Sequence, residues 1–136
     1  MTQEAFKADY PTEIVEEGRA KLVVPKLQAF KKQPSDYAPS KAPVFYNPVM
    51  ELNRDIAVLA VQAYQKMTGR KITICEPLTG CGLRGIRFAT EVKGVKEVVA
   101  GDINDNAFRL ATYNVRMNAL QKRVTVRKEE ANFILG

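Results

Sequence analysis

Gly80, Gly82 and Gly85, spaced as G-x-G-x-x-G between an apolar run and a helically patterned one, constrain the fold of this chain more than any other feature. Ile74-Cys75-Glu76 enters the loop from a strand-like segment, and Leu83 to Val92 leaves it with helical spacing. Glycine at these places permits a tight turn and lets backbone N–H groups approach a ligand at the positive end of a helix. Asp102 follows Gly82 by 20 residues and ends the next strand-like run. A carboxylate there can accept from both hydroxyls of an adenosine ribose. Loop, helix and acid together are much more specific than the glycines alone, the plainer alternative being a turn that serves only packing.

Around the loop the pattern alternates. Lys71 to Cys75, Glu97 to Gly101 and Arg123 to Arg127 read as strands, and Leu83 to Val92 and Asp105 to Ala119 as helices, with a third helix starting at Ala131 to Leu135. Helices over both faces of a parallel sheet with right-handed crossovers make an α/β doubly wound fold, of which only the first half, β-α-β-α-β, precedes Gly136. The first strand, central in that order, is expected to be left as an apolar edge, and the chain to be a piece of a longer protein. Before the sheet, Leu52, Ile56, Leu59, Ala60, Ala63 and Met67 recur at helical spacing from about Val49 to Met67, and Gly69 ends that helix. Residues 1–48 hold six of the seven prolines and two β-like runs, Ala20 to Val24 and Val44 to Tyr46, joined through the polar loop Lys31 to Lys41. We therefore divide the chain into an N-terminal arm, 1–48, and half of a nucleotide-binding domain, 49–136.

Composition narrows the chemistry. With 46% hydrophobic and 26% charged residues the chain is globular rather than disordered. Its apolar stretches are too short for a bilayer span, and Met1 to Tyr10, with Glu4, Lys7 and Asp9, lacks the apolar centre of a secretory signal. A cytoplasmic, soluble protein without a membrane partner is expected. Cys75 and Cys81 are the only cysteines and there is no histidine, so neither a zinc cluster nor a cysteine–histidine nucleophile can be built; both thiols are expected to be buried and free, and no metal is expected. Acid–base work falls to carboxylates, tyrosine or groups elsewhere. A net charge of +6 and a pI of about 9.4 permit a polyanionic partner without demonstrating one.

The acid at Glu76 separates the adenosine cofactors. A dinucleotide would place its pyrophosphate at the loop, where a carboxylate four residues before Gly80 repels it. A methyltransferase loop faces the methionine end of S-adenosylmethionine, whose ammonium and sulfonium tolerate an acid; Arg84 in the first helical turn can pair with the methionine carboxylate but would suit a pyrophosphate equally well, so Glu76 carries the discrimination. Beyond the third strand, Glu130 is placed to accept the adenine amine and Ala131 to leave room for the ring; acids favoured in a first helical turn explain the segment equally well.

Val44-Phe45-Tyr46-Asn47-Pro48, Asn53-Arg54-Asp55, Thr79 to Arg87 and Gly101-Asp102-Ile103 resemble the tRNA (guanine-26) dimethyltransferase family, and Glu17-Gly18-Arg19-Ala20 and Pro25 are similar to its opening. The resemblance covers nearly the whole chain. It implies a class I methyltransferase fold, S-adenosylmethionine as cofactor, tRNA as partner and transfer to the exocyclic amine of a guanine. It further implies cofactor contacts from Arg54, Arg84, Asp102, Glu130 and Ala131, beside those read above for Glu76, Gly80 and Gly82, and a place for Phe45 against the target guanine, where a ring can stack on an extruded base. Glu130 stands where aspartate is more usual. The family's catalytic Asp-Pro-Phe-Gly segment does not occur in this sequence, so the 136 residues by themselves are expected to lack turnover. Two other readings share some of these features. A nicotinamide-dependent oxidoreductase would use the glycines and Asp102, and a non-catalytic RNA-binding module would use the arm and the basic segment Lys122 to Lys128.

Overall fold

A computed structural model describes residues 5–136; Met1 to Glu4, part of the segment read as lacking a secretory signal, lie outside the described residues. Strands β1 (Thr12–Glu17) and β2 (Ala20–Pro25) pair antiparallel, with Glu17 opposite Ala20 and Thr12 opposite Pro25. Of these only β2 was legible in the sequence. Ile14 and Val15 lie between the acids Glu13 and Glu16, and β1 stays largely open to solvent. The other expected strand, Val44 to Tyr46, is irregular chain: Pro43 and Pro48 bracket it, and neither offers an N–H to a ladder. Val44 and Tyr46 are nevertheless buried.

A short helix, α1 (Ala38–Lys41), interrupts the polar loop, and α2 (Glu51–Thr68) ends where the Gly69 N–H donates to the Gln65 carbonyl at 3.0 Å. The helix forms where its apolar spacing placed it, but it turns the other way. Leu52, Ile56, Leu59 and Met67 are exposed, and the face toward the core is Arg54, Ala57, Val58 and Val61. That second set also has i, i+3, i+4, i+7 spacing. It was hidden because one of its four members is an arginine.

Next come β3 (Ile72–Glu76), α3 (Leu83–Glu91), β4 (Val95–Gly101), α4 (Asp105–Met117), β5 (Val124–Arg127) and α5 (Ala131–Leu135). The strands form a parallel sheet in the order β3-β4-β5, with Ile74 beside Val98 and Val98 beside Val124, so β3 is the edge strand expected. Helices cover one face of this sheet rather than both. Ile74, Val98 and Val124 enter a core with Leu83, Ile86 and Leu110, whereas the alternate positions Thr73, Cys75, Glu97 and Thr125 are exposed. Cys75 is thus not the buried thiol expected, because strand alternation turns it to the open face. Cys81 is buried, which pushes its thiol up to about 11, and both cysteines are free. No helix among the described residues is long and apolar enough to cross a membrane.

The arm shares this core. Leu22 and Val24 are fully buried with Ile86, Leu110 and Val98, each such side chain contributing about 1.5–3 kcal/mol over its exposed state. Two amides, Asn114 on α4 and Asn118 at its C-cap, close the outer edge of β2. Asn114 accepts from the Val23 N–H at 2.8 Å and donates to the Val23 carbonyl at 2.9 Å, and Asn118 does the same for Lys21 at 3.1 and 2.8 Å. Four helical residues rise about 6 Å and two strand residues about 6.6 Å, so side chains four apart on a helix can imitate a neighbouring strand. Asn114 also donates to the Cys81 carbonyl at 2.9 Å and so ties the arm to the glycine loop.

Candidate functional site

Where β3 ends, its last side chain organises the loop that follows. Glu76 Oε2 accepts from the Thr79 hydroxyl at 2.9 Å and from the Gly85 N–H at 3.0 Å, bridging the loop to the first turn of α3. From the adjacent strand, Asp102 Oδ2 accepts from the Gly80 N–H at 3.0 Å and Oδ1 from the Asn104 N–H at 3.0 Å. Gly80 and Gly82 have φ of +58° and +87°, backbone that side chains adopt only with strain. A Cβ on Gly80 would also stand 3.2 Å from the Phe45 carbonyl, so the arm is laid directly over the loop.

Between loop and arm lies a cavity of about 460 Å³. Phe45, Arg54, Glu76, Gly80, Arg84 and Asp102 all line it, together with Tyr46, Asn47, Leu78 and Asn104. Six of the residues singled out from the sequence are therefore brought to one place from four separate segments. Gly82, Glu130 and Ala131 are not in its lining. Gly82 faces α4, where an added Cβ would stand 3.3 Å from the Ala111 methyl, and Glu130 is exposed at the start of α5.

The two arginines differ sharply. Arg84, partly buried, donates to Asn53 Oδ1. Arg54 is buried and committed: its Nε and Nη2 donate to the Glu17 carboxylate at 2.8 and 2.6 Å, and Nη1 to the Asn47 carbonyl at 3.1 Å. Burial alone would lower the Arg54 pKa; the Glu17 hydrogen bonds outweigh it and raise it. Glu17 is shared with Arg87, whose Nη1 lies 3.0 Å from Glu17 and 2.7 Å from Asp55, while its Nε lies 2.8 Å from Glu91. No periodic signal marks this cluster in the sequence, since its members come from β1, α2 and α3. Thr79 and Asn104 were also missed as loop holders; Thr79 lies within the motif, and Asn104 carries the capping signature of α4, accepting from the Ala107 N–H at 3.0 Å.

Glu76 is only partly exposed to the cavity, and protein atoms crowd its carboxyl. That desolvation pushes its pKa up to about 7, against the opposing hydrogen bonds from Thr79 and Gly85. Neither Glu76 nor Asp102 is hydrogen-bonded to a cation among the described residues. The site is thus a concave space with two carboxylates at neighbouring strand ends and free lone pairs on each.

Fold and loop together define the first half of a Rossmann-like methyltransferase domain. The model of the N2,N2-dimethylguanosine tRNA methyltransferase family matches residues 18–136. A tRNA (guanine(26)-N(2))-dimethyltransferase of Methanosphaera stadtmanae is 41% identical over 124 residues, covering 91% of this chain and 30% of its own. A tRNA (guanine(26)-N(2)/guanine(27)-N(2))-dimethyltransferase of Aquifex aeolicus is 40% identical, with 90% and 30% covered. Among solved structures, Trm1 from Pyrococcus horikoshii in complex with S-adenosyl-L-methionine superposes with a TM-score of 0.70 at 30% identity, over 90% of this chain and 32% of that one. The chain belongs to the N2,N2-dimethylguanosine tRNA methyltransferase family and spans about 30% of the length of these curated relatives.

Proposed function

We propose that this chain supplies the cofactor-binding part of an enzyme that moves methyl groups from S-adenosylmethionine to the exocyclic amine of a tRNA guanine, position 26 in the first instance. The observation that carries the reading is the pair Glu76 and Asp102, two carboxylates on one cavity with no cation bonded to either. A pyrophosphate would be repelled there; a ligand with a ribose diol and an ammonium is favoured. The space of about 460 Å³ is of the size that small-molecule sites have.

Bound cofactor would supply an electrophilic methyl group. The residues of this chain do the holding. Asp102 accepts from the ribose hydroxyls with the lone pairs that Gly80 and Asn104 leave free, and Glu76 faces the amino-acid end. Arg84, on leaving Asn53, pairs with the cofactor carboxylate. Arg54, fixed by Glu17 and Asn47, retains one N–H on each terminal nitrogen for the same end. Phe45, half-exposed at the rim, offers a face on which an extruded guanine can stack. Glu130 and Ala131 would reach the adenine only if α5 closes toward the cavity. We place the boundary between arm and domain near residue 48, with the arm as one wall of the site. The resemblance to proteins named for tRNA supports the partner, and work on tRNA is consistent with a cytoplasmic location.

Calorimetric titration with S-adenosylhomocysteine tests this reading. Binding that Asp102→Ala weakens at least tenfold is expected. Enhanced fluorescence of a reduced nicotinamide, with no response to S-adenosylhomocysteine, would replace it with the oxidoreductase reading.

A further inference from the structure

Helix α4 carries a second cavity, of about 510 Å³, which cofactor binding does not use. Phe6, Lys7, Phe108, Arg109, Tyr113 and Arg116 line it. The rings of Phe6 and Tyr113 meet with centroids 5.1 Å apart, and Phe108 lies partly exposed beside them. Arg109 and Arg116 are seven positions apart, two helical turns and about 10 Å along one face, and both are exposed. Among the described residues neither of them, nor Lys7, takes part in an ion pair.

The basic segment that stood out in the sequence behaves in the opposite way. Arg123 donates to the Val95 carbonyl at 2.9 Å, Arg127 pairs with Glu129 at 2.7 Å and Lys128 with Asp105 at 3.1 Å. Those three cations are engaged within the fold, whereas Lys7 on the arm and Arg109 and Arg116 on α4 have their charge available. The two cavities are also neighbours on one element. Ala107 lines the first, and Phe108 and Arg109 line the second.

We propose that the α4 groove seats the sugar–phosphate backbone of the RNA whose base enters the first cavity; this rests on the RNA methyl-transfer reading above. Guanidinium groups meet phosphate oxygens in paired hydrogen bonds, and aromatic rings beside them accept unstacked bases. An acidic peptide would need only the cations; the ring cluster between them favours nucleotides.

The test is the salt dependence of tRNA-transcript binding to the full chain, read by fluorescence anisotropy. Each phosphate contact contributes about 0.7 to 0.9 to the slope of log K against log salt. Arg109→Gln/Arg116→Gln is expected to lower that slope by about 1.4 to 1.8, while Lys96→Gln/Lys122→Gln, which removes the same charge elsewhere, leaves it within about 0.5. An unchanged slope in the arginine pair, an equal change in both pairs, or no tRNA binding by the wild-type chain would overturn the groove. S-adenosylhomocysteine titration of the same proteins separates the two readings. Cofactor binding with an unchanged RNA slope removes the groove alone; a normal RNA response without cofactor binding removes the methyltransferase reading instead.

Discussion

Two groups of carboxylates in this chain show how differently a fold can treat the same functional group. At the junction of arm and helices, Glu17 lies 5% exposed between Arg54 and Arg87, and Arg87 pairs also with Asp55 and Glu91. At the glycine loop, Glu76 and Asp102 accept from backbone N–H groups and one hydroxyl, with no cation in the bonded shell. In the first group each carboxylate is paired with a guanidinium, and Glu17 is buried. The second is arranged by the loop yet open to a ligand. A buried carboxylate with fixed cations is structural cement, and one with only neutral donors beside a cavity is a binding group.

The contrast can be broken or sharpened in order of expected effect. Glu17→Ala strands the buried Arg54 guanidinium and should cost about 3–5 kcal/mol in urea unfolding; a loss below about 1 kcal/mol would mean that water reaches the junction and the two groups are alike. Asn114→Ala leaves the Val23 N–H and two buried carbonyls unpaired, so about 3 kcal/mol is expected in thermal melts, against under about 1 kcal/mol for Asn118→Ala, whose partners on Lys21 are solvent-exposed and whose third partner, the Asn114 carbonyl, keeps the Asn118 backbone N–H. Equal losses would show that the amide ladder, rather than its burial, holds the arm.

Glu76 sets the opposite sign for the loop. Desolvation raises its pKa from 4.5 to about 7, so the folded protein holds that proton more tightly than the unfolded chain does. The contribution is fully present below about pH 4.5 and is lost as pH rises through about 7, on the order of 2 kcal/mol after allowance for water in the cavity. Denaturant midpoints measured across that window should therefore fall in the wild type and stay flatter in Glu76→Gln. The smallest effect belongs to α2. Leu59→Lys and Met67→Lys, on the outward face, should stay within about 0.5 kcal/mol, while Val58→Ala on the inward face costs about 1 kcal/mol. Reversal of that order would restore the face first read from the sequence.

The helix α2 marks the limit of what periodicity reveals. Its existence follows from spacing, which is local, and its end from Gly69. Its orientation depends on Arg54 finding Glu17, 37 residues earlier in the chain, and no local pattern encodes that meeting. The same holds for Val44 and Tyr46, which are buried although the prolines on either side deny the segment a strand. At the site, Gly80, Asp102 and Glu76 were legible because a loop, the next strand end and the preceding strand end have fixed sequence offsets in a β-α-β unit. Phe45 and Arg54 reached the cavity through the family resemblance alone. Gly82 was legible as a strained turn, but its packing against Ala111 was not.

The sequence alone determined the order of strands and helices from α2 onward, the loop that joins β3 to α3 and the acids that flank it, because these depend on residue spacing and on glycine's access to positive φ. Tertiary structure decided which face of α2 points inward, which face of the sheet stays open, which cations are engaged and which remain available, and how the arm becomes a wall of the cavity. Those outcomes turn on contacts between segments far apart in the chain. Desolvation makes a buried charge choose its partner there, whatever its neighbours in sequence.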